Sequence, residues 1–319
     1  MTRKINRRRF LKGSIVVSSA TGLVASFGER ALLAQQGQEA NPSTSIRSSR
    51  KLPLGKIGPV SISRIICGGN QIAGFAHSRD LIYVSNLMKR YFIDAKVFET
   101  LASCEEHGIN TAILRLDHET LRLLKAYWKE RDGKIQCIAQ IEISERDMAS
   151  QIRQAVDNGA VGAFTHGGIG DDLVKRNKVD VLAKAVQLIK GQQVIAGVAG
   201  HSLQVPMACE KAGVKPDFYM KTFNIKQYWS AGPPNRLDSV WEETPQETMA
   251  FMQEVEVPWI AYKVLGAGAI HPREGFQYAF QNGADFLCLG MFDFHVAEDV
   301  ELAHSALEKS RIRNRPWCA

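Results

Sequence analysis

From Leu52 onward, short apolar runs alternate with longer amphipathic stretches. Eight runs have the character of buried parallel strands: Ile62–Gly68, Thr111–Leu116, Ile135–Ile141, Val161–Thr165, Val194–Ala199, Phe218–Phe223, Trp259–Val264 and Phe286–Met291. Each is brief, β-branched or aromatic in character, and bounded by Gly, Asn, Asp or Pro. The stretches between them end in recurring helix stops. These are Glu106-His107-Gly108, Asp132-Gly133, Asp157-Asn158-Gly159, Ala212-Gly213 and Gln281-Asn282-Gly283, where Gly or Asn-Gly supplies a left-handed residue. A last helix is expected from Val296 to about Lys309. Eight βα units within residues 52–319 predict a single closed (βα)8 TIM barrel, an α/β fold. An open doubly wound sheet is the alternative, but the turn Gly68-Gly69-Asn70 lacks that fold's Gly-x-Gly-x-x-Gly fingerprint.

Two connections exceed plain turns. Asn70–Ile93 comes after the first strand and carries Phe75, His77, Tyr83, Tyr91 and Phe92. Asn224–Glu243 comes after the sixth and carries Tyr228, Trp229, Pro233, Pro234 and Trp241. Both sit at strand C-terminal ends, where barrel enzymes build their active sites. They are expected to be lids or substrate walls, with self-packed decoration as the alternative.

The first residues obey a different logic. Arg7-Arg8-Arg9-Phe10-Leu11-Lys12 precedes an apolar run, Gly13 to Phe27, that serines, Thr21 and Gly22 interrupt; no acid occurs before Glu29. The run is too short and polar for a comfortable membrane span, which needs about 20 mostly apolar residues. This order looks like a twin-arginine export signal over residues 1–34, with a permanent N-terminal anchor as the alternative. Residues 35–51, rich in Gln, Ser and Asn, read as a flexible linker to a barrel over 52–319. The protein is thus expected to be periplasmic or otherwise extracytoplasmic. The twin-arginine machinery is its expected export partner, and no stable membrane insertion is expected after signal removal.

The signal also explains the charge. The chain is formally +7, yet residues 1–34 hold seven Lys/Arg and one Glu, leaving 33 basic and 32 acidic residues in the rest. No basic face remains to predict nucleic-acid binding. The six cysteines, Cys67, Cys104, Cys137, Cys209, Cys288 and Cys318, form no Cys-x-x-Cys pair. Several lie inside apolar runs, so they read as small buried hydrophobes, with a disulfide as the alternative.

Several segments, in order, resemble the aldo-keto reductase family. Leu54-Gly55-Lys56-Ile57-Gly58-Pro59-Val60 through Ile66-Cys67-Gly68-Gly69 is similar to its opening, a hairpin across the barrel floor leading into strand one. Gly108-Ile109-Asn110-Thr111 resembles the entry to strand two. Ala199-Gly200-His201, with Ala208 to Asp217, resembles the strand-five turn, its helix and the entry to strand six. Trp259-Ile260-Ala261-Tyr262-Lys263-Val264-Leu265-Gly266-Ala267-Gly268 resembles strand seven and the cofactor loop. The resemblance implies carbonyl reduction with NADP or NAD, through a Tyr acid assisted by Asp, Lys and His. It places His166 at the family's His and Tyr262 at the aromatic residue on which the nicotinamide stacks. Leu265, Gly266 and Gly268 fall in the cofactor-binding loop. Three departures stand out. The Asp and Tyr expected after strand two are absent from Ile113-Leu114-Arg115-Leu116-Asp117-His118, Gln140 stands near the expected Lys, and Ala199-Gly200 replaces a Ser-Asn pair.

The strand ends still offer chemistry. Gln140 and Glu142 share one strand face, as do Arg115 and Asp117. His166, His201, Lys221, Lys263 and Asp293 complete the rim. His166 is the expected acid–base or electrophilic group. Lys263 and Lys221 are expected near a substrate carbonyl, with Glu142 as their charge partner. The alternatives are a divalent metal on His166, His201 and Glu142, a Schiff-base lysine in a non-redox isomerase or lyase, or a non-catalytic ligand-binding barrel. Against these stand hydrogen-bonded histidines, and lysines paired with Glu142 or Asp293. The expected substrate is a small carbonyl or sugar-derived molecule.

Overall fold

The computed structural model describes residues 51–76, 78, 81–225 and 242–319. All eight expected strands are present as β3 Ile65–Gly68, β4 Thr111–Arg115, β5 Gln136–Ile141, β6 Gly162–Thr165, β7 Ile195–Gly200, β8 Phe218–Thr222, β9 Trp259–Tyr262 and β10 Phe286–Gly290. They pair in parallel, in sequence order, and close through β10 against β3. The first predicted strand divides. Its first two residues, Ile62 and Ser63, end β2 Val60–Ser63, which pairs antiparallel with β1 Leu54–Ile57 as a hairpin, and the barrel strand begins only after Arg64. The break comes where Ser63 and Arg64 turn to other partners. The Ser63 amide donates to Asn110 Oδ1 at 2.9 Å, and Arg64 donates to the Asp285 carbonyl at 3.0 Å.

Helices α1 Val84–Tyr91, α2 Asp94–Glu106, α3 His118–Arg131, α4 Ser150–Asp157, α5 Gly167–Lys175, α6 Val179–Lys190, α7 Gln204–Lys211, α8 Pro245–Gln253, α9 Pro272–Gln281 and α10 Val296–Lys309 surround the sheet. Asn70–Ile93 is therefore not a plain loop, because it contains α1. The stops work as expected at Gly108, Gly159, Gly213 and Gly283, whose φ values are positive. At Asp132-Gly133 the left-handed residue is Asp132 itself, at φ 51°. Asp117 caps α3 by accepting from the Thr120 amide at 2.8 Å, which satisfies one of the donors a helix start leaves over.

Strand alternation separates two cores. Ile66, Ile113, Ile138, Phe164, Ile195, Phe218, Met220, Ile260 and Phe286 fill the lumen, closed from below by Ile57 and Ile62 of the hairpin. The opposite strand faces, including Tyr219 and Ala261, pack on the helices. Each large apolar side chain so buried contributes about 1.5–3 kcal/mol. Below the lumen, buried Asp285 accepts from the Trp259 and Cys318 amides, both at 3.0 Å, from Arg313 at 3.0 Å and from Arg315 at 2.6 Å. Arg315 also donates to the carbonyls of Met252, Gly283, Val255 and Val257. The segment after α10 is thereby sewn under the barrel.

All six cysteines are free. No helix among the described residues is long and apolar enough to cross a membrane. The expected signal and linker, residues 1–50, lie outside the described residues, as do His77, Tyr228, Trp229, Pro233, Pro234 and Trp241.

Candidate active site

At the C-terminal end of the barrel, β6 runs straight into α5 through His166, which occupies the helix N-cap position. The Gly-rich start of that helix allows close packing. A Cβ on Gly170 would lie 2.1 Å from the Ala199 carbonyl oxygen, and one on Gly167 would lie 2.7 Å from the Tyr262 hydroxyl. Because α5 sits this low over β7, Asp171 reaches His201. Asp171 Oδ2 is 2.7 Å from His201 Nδ1, and the carboxylate also accepts from the His201 and Ser202 amides at 3.0 Å. The His201 ring stands 5.5 Å from that of Tyr262, centroid to centroid. His166, His201, Asp171 and Tyr262 thus form one group at the mouth.

The electrostatics of the group are specific. Burial pushes the His166 pKa below 6.5; His201 and Arg115 add to this, while Glu142 and Asp171 oppose it. Burial disfavours the Asp171 carboxylate, but the hydrogen bonds from His201 and Ser202 outweigh it and hold the acid below its usual range. His166 is therefore neutral at neutral pH. The His201 Nδ1 bond to Asp171 leaves Nε2 as the nitrogen that can exchange a proton, the arrangement of an oriented acid–base histidine.

Lys221 does not join this group. Lys221 shares the outward strand face of Tyr219, opposite Phe218 and Met220, so it leaves the lumen for the helix layer. There it forms a buried ion pair with Glu242 (2.5 Å) and donates to the Thr222 carbonyl (2.7 Å). Burial lowers its pKa, and Glu242 opposes the shift. Lys263 adopts φ 60°, a left-handed conformation uncommon for a residue with a side chain. Its carbonyl accepts from Asn224 Nδ2 at 3.0 Å and from the Gly266 amide at 3.0 Å. Glu142, expected to balance the lysines, instead pairs with Arg115 at 3.0 Å. The Arg115 guanidinium lies 4.6 Å from the centre of the Phe75 ring, with Asp117 3.8 Å from its Nε. Asp293 is tied to Lys96 at 2.8 Å and to the Tyr91 hydroxyl, away from the histidines.

His166, His201 and Glu142 do not make a metal site. Among the described residues no group of three or more His, Cys, Asp or Glu side chains could hold an ion. A nicotinamide nucleotide laid across β9 and β10, as the resemblance implies, would rest its ring on Tyr262. Leu265, Gly266 and Gly268 lie in the turn after β9. The Gly266 and Gly268 amides, however, donate to the Lys263 and Leu265 carbonyls at 3.0 and 2.9 Å and so close that turn on itself. Residues 291–299 carry Asp293, Glu298 and Asp299 and neither Lys nor Arg. Those two amides and that acidic segment offer the phosphates no donor, which leaves Arg273 in the first turn of α9 as the cation next along the chain.

Outside the barrel a cavity of about 880 Å³ runs between α5 and α7, bounded by Val174, Val205 and Met207. It meets the site through Asp171 and Ser202 alone.

Solved structures share this architecture. A Pseudomonas aeruginosa protein described as an aldo-keto reductase superposes with a TM-score of 0.55 at 16% identity, over 82% of this chain and 96% of that one. Gox0644, as a point mutant in complex with NADPH, gives 0.51 at 11%, over 84% and 96%. A phospho-2-dehydro-3-deoxyheptonate aldolase from Thermotoga maritima gives 0.51 at 10%, over 82% and 76%. These likenesses establish the barrel. No protein-family model and no curated protein matches the chain.

Asp171 is the site residue that strand-end reasoning missed. Its signal was the run His166-Gly167-Gly168-Ile169-Gly170-Asp171, whose small residues let a helix carboxylate descend onto the neighbouring strand.

Proposed function

We propose that the protein is an enzyme acting on a small carbonyl or sugar-derived substrate at the barrel mouth, with proton transfer as its central chemical act. The observation that carries this reading is the His201–Asp171 dyad set beside neutral His166 and the Tyr262 ring. Asp171 orients the His201 ring through its Nδ1 bond. His166 accepts a proton at neutral pH, and Tyr262 can donate a hydrogen bond to a substrate oxygen. Such groups can move a proton next to a carbonyl, as an isomerase or lyase requires, without a metal.

A second reading, an oxidoreductase using NADP or NAD, is favoured by Tyr262 beside His166 on an aldo-keto-reductase-like barrel. Both are tested by measuring deuterium uptake from D2O at the carbon next to the carbonyl, by NMR, across aldoses, ketoses and simple ketones. The measurement is run with and without nicotinamide nucleotides. Exchange without nucleotide that is lost in His201→Ala supports the first reading. Turnover only with nucleotide supports the second. Neither exchange nor turnover overturns both and leaves a ligand-binding barrel.

Residues 1–34 are proposed as the export signal, which would place residues 52–319 outside the cytoplasm. Changing Arg7 and Arg8 together to Lys should leave folded protein in the cytoplasm, as seen by cell fractionation; normal export of that variant contradicts the assignment.

A further inference from the structure

Charge balance at the mouth narrows the substrate, given that a carbonyl compound binds there. The cations at the strand ends already have counter-charges. Arg115 lies between Glu142 and Asp117, and Lys221 is buried against Glu242. Lys263 is not a free cation either. A phosphate or carboxylate entering beside Arg115 would find that cation's charge already answered and would face Asp117 and Glu142, and like charges set against each other count against the anion.

What remains unsatisfied is neutral. Thr222 is on the lumen face of β8, in register with Tyr262 on the next strand. Its buried Oγ1 has no hydrogen-bond partner among the described residues, and the same holds for Gln71 Oε1. Gln71 lies against Gly290, where an added Cβ would come 2.2 Å from that oxygen. Both are neutral acceptors just beneath the mouth, so this part of the site carries no charge of its own. Gln140 stands beside Arg115 in the β4–β5 register. An Arg–carboxylate pair both donates to and accepts from a hydroxyl, and Phe75, 46% exposed, offers an apolar face next to it.

We infer that the substrate is an uncharged, polyhydroxylated carbonyl compound, an unphosphorylated sugar or sugar-derived ketone. Arg115 and Glu142 are its specificity-determining pair. The pair reads hydroxyls, Phe75 covers the carbon face of the molecule, and the His201–Asp171 dyad meets the carbonyl end.

The test is binding rather than turnover. The purified full chain is titrated by calorimetry with D-fructose, with fructose 6-phosphate, and with a keto-acid sugar such as 2-ketogluconate. Fructose is expected to bind at least about tenfold more tightly than either anion. Glu142→Gln removes the nearer of the two counter-charges of Arg115 and should shift that ratio about tenfold toward the anions. An anion that binds the unaltered protein as tightly as fructose, or an absence of fructose binding, overturns the inference. So does a ratio that Glu142→Gln leaves unmoved while circular dichroism shows the variant folded. Turnover of an anionic compound by the dyad would defeat the inference and leave the proton-transfer reading standing. Fructose binding without deuterium exchange would do the reverse.

Discussion

At the floor of the barrel Asp285, Arg313 and Arg315 are sealed from water, and the carboxylate accepts two guanidinium groups and two backbone amides. At the mouth Arg115 and Glu142 make the same kind of pair while 37% and 45% exposed. The difference lies in what each group has left to give. Floor charges are saturated by the fold, so their removal is a stability event. Mouth charges keep solvent-facing capacity, so their removal should change what binds rather than whether the chain folds. A buried pair is no guide to function here, as Lys221 and Glu242 illustrate close to the site itself.

The strongest way to break this contrast is Asp285→Ala. It strands two buried guanidinium groups, and breaking a buried pair costs about 3–5 kcal/mol. At about 2–4 °C per kcal/mol for a domain of this size, calorimetry should show the melting temperature falling by on the order of 10 °C. Glu142→Gln, the same loss of one negative charge at the mouth, should cost under about 1 kcal/mol. Comparable losses at both ends would erase the distinction.

His166→Ala and His201→Ala sharpen it from the other side. Turnover of whichever substrate is found should fall about a hundredfold or more, with little change in melting temperature. A collapse of stability instead would make these histidines structural. The pH profile gives a sign. Because burial lowers the His166 pKa, the unfolded chain takes that proton first as acid is added. Its contribution to stability is therefore present above pH 6.5 and is lost as pH falls through the lower folded value. Activity that needs neutral His166 should fall in the same window, and His166→Ala should flatten the corresponding part of the stability curve.

An effect confined to one pH window, and nil in acid, is expected at Asp299, in the first turn of α10. Burial, reinforced by Glu298, pushes its carboxyl up to about 7. Its contribution is present below pH 3.8 and is lost as pH rises through about 7. Denaturant titrations should show Asp299→Asn gaining stability over the parent between acid and mildly alkaline pH, by up to about 4 kcal/mol. A difference independent of pH would remove Asp299 from the account.

Much of the fold was legible because each strand is an apolar run between turn-forming residues. Ser63-Arg64 was not seen as a break, since its cause lies in Asn110 and Asp285, far along the chain. For the site, His166 and His201 could be found as polar residues ending apolar strands. Lys221 has the same look, and only the strand face decides that it leaves the lumen; Phe218, Tyr219 and Met220 are apolar on both faces and conceal that choice. Asp171 sits on a helix, so no rule about strand ends could reach it.

The thiols have a consequence for the order of events in this protein's life. Cys67, Cys104, Cys137, Cys209 and Cys288 are buried, and Cys318 is partly so. Burial pushes Cys137 and Cys209 up to about 12, so they carry almost no reactive thiolate. The five buried thiols are thus shielded in the folded barrel, while the unfolded chain offers six thiols and many wrong pairings. In an oxidising compartment, folding before arrival would protect the chain. Even a brief unfolding there would turn a reversible excursion into a covalent trap.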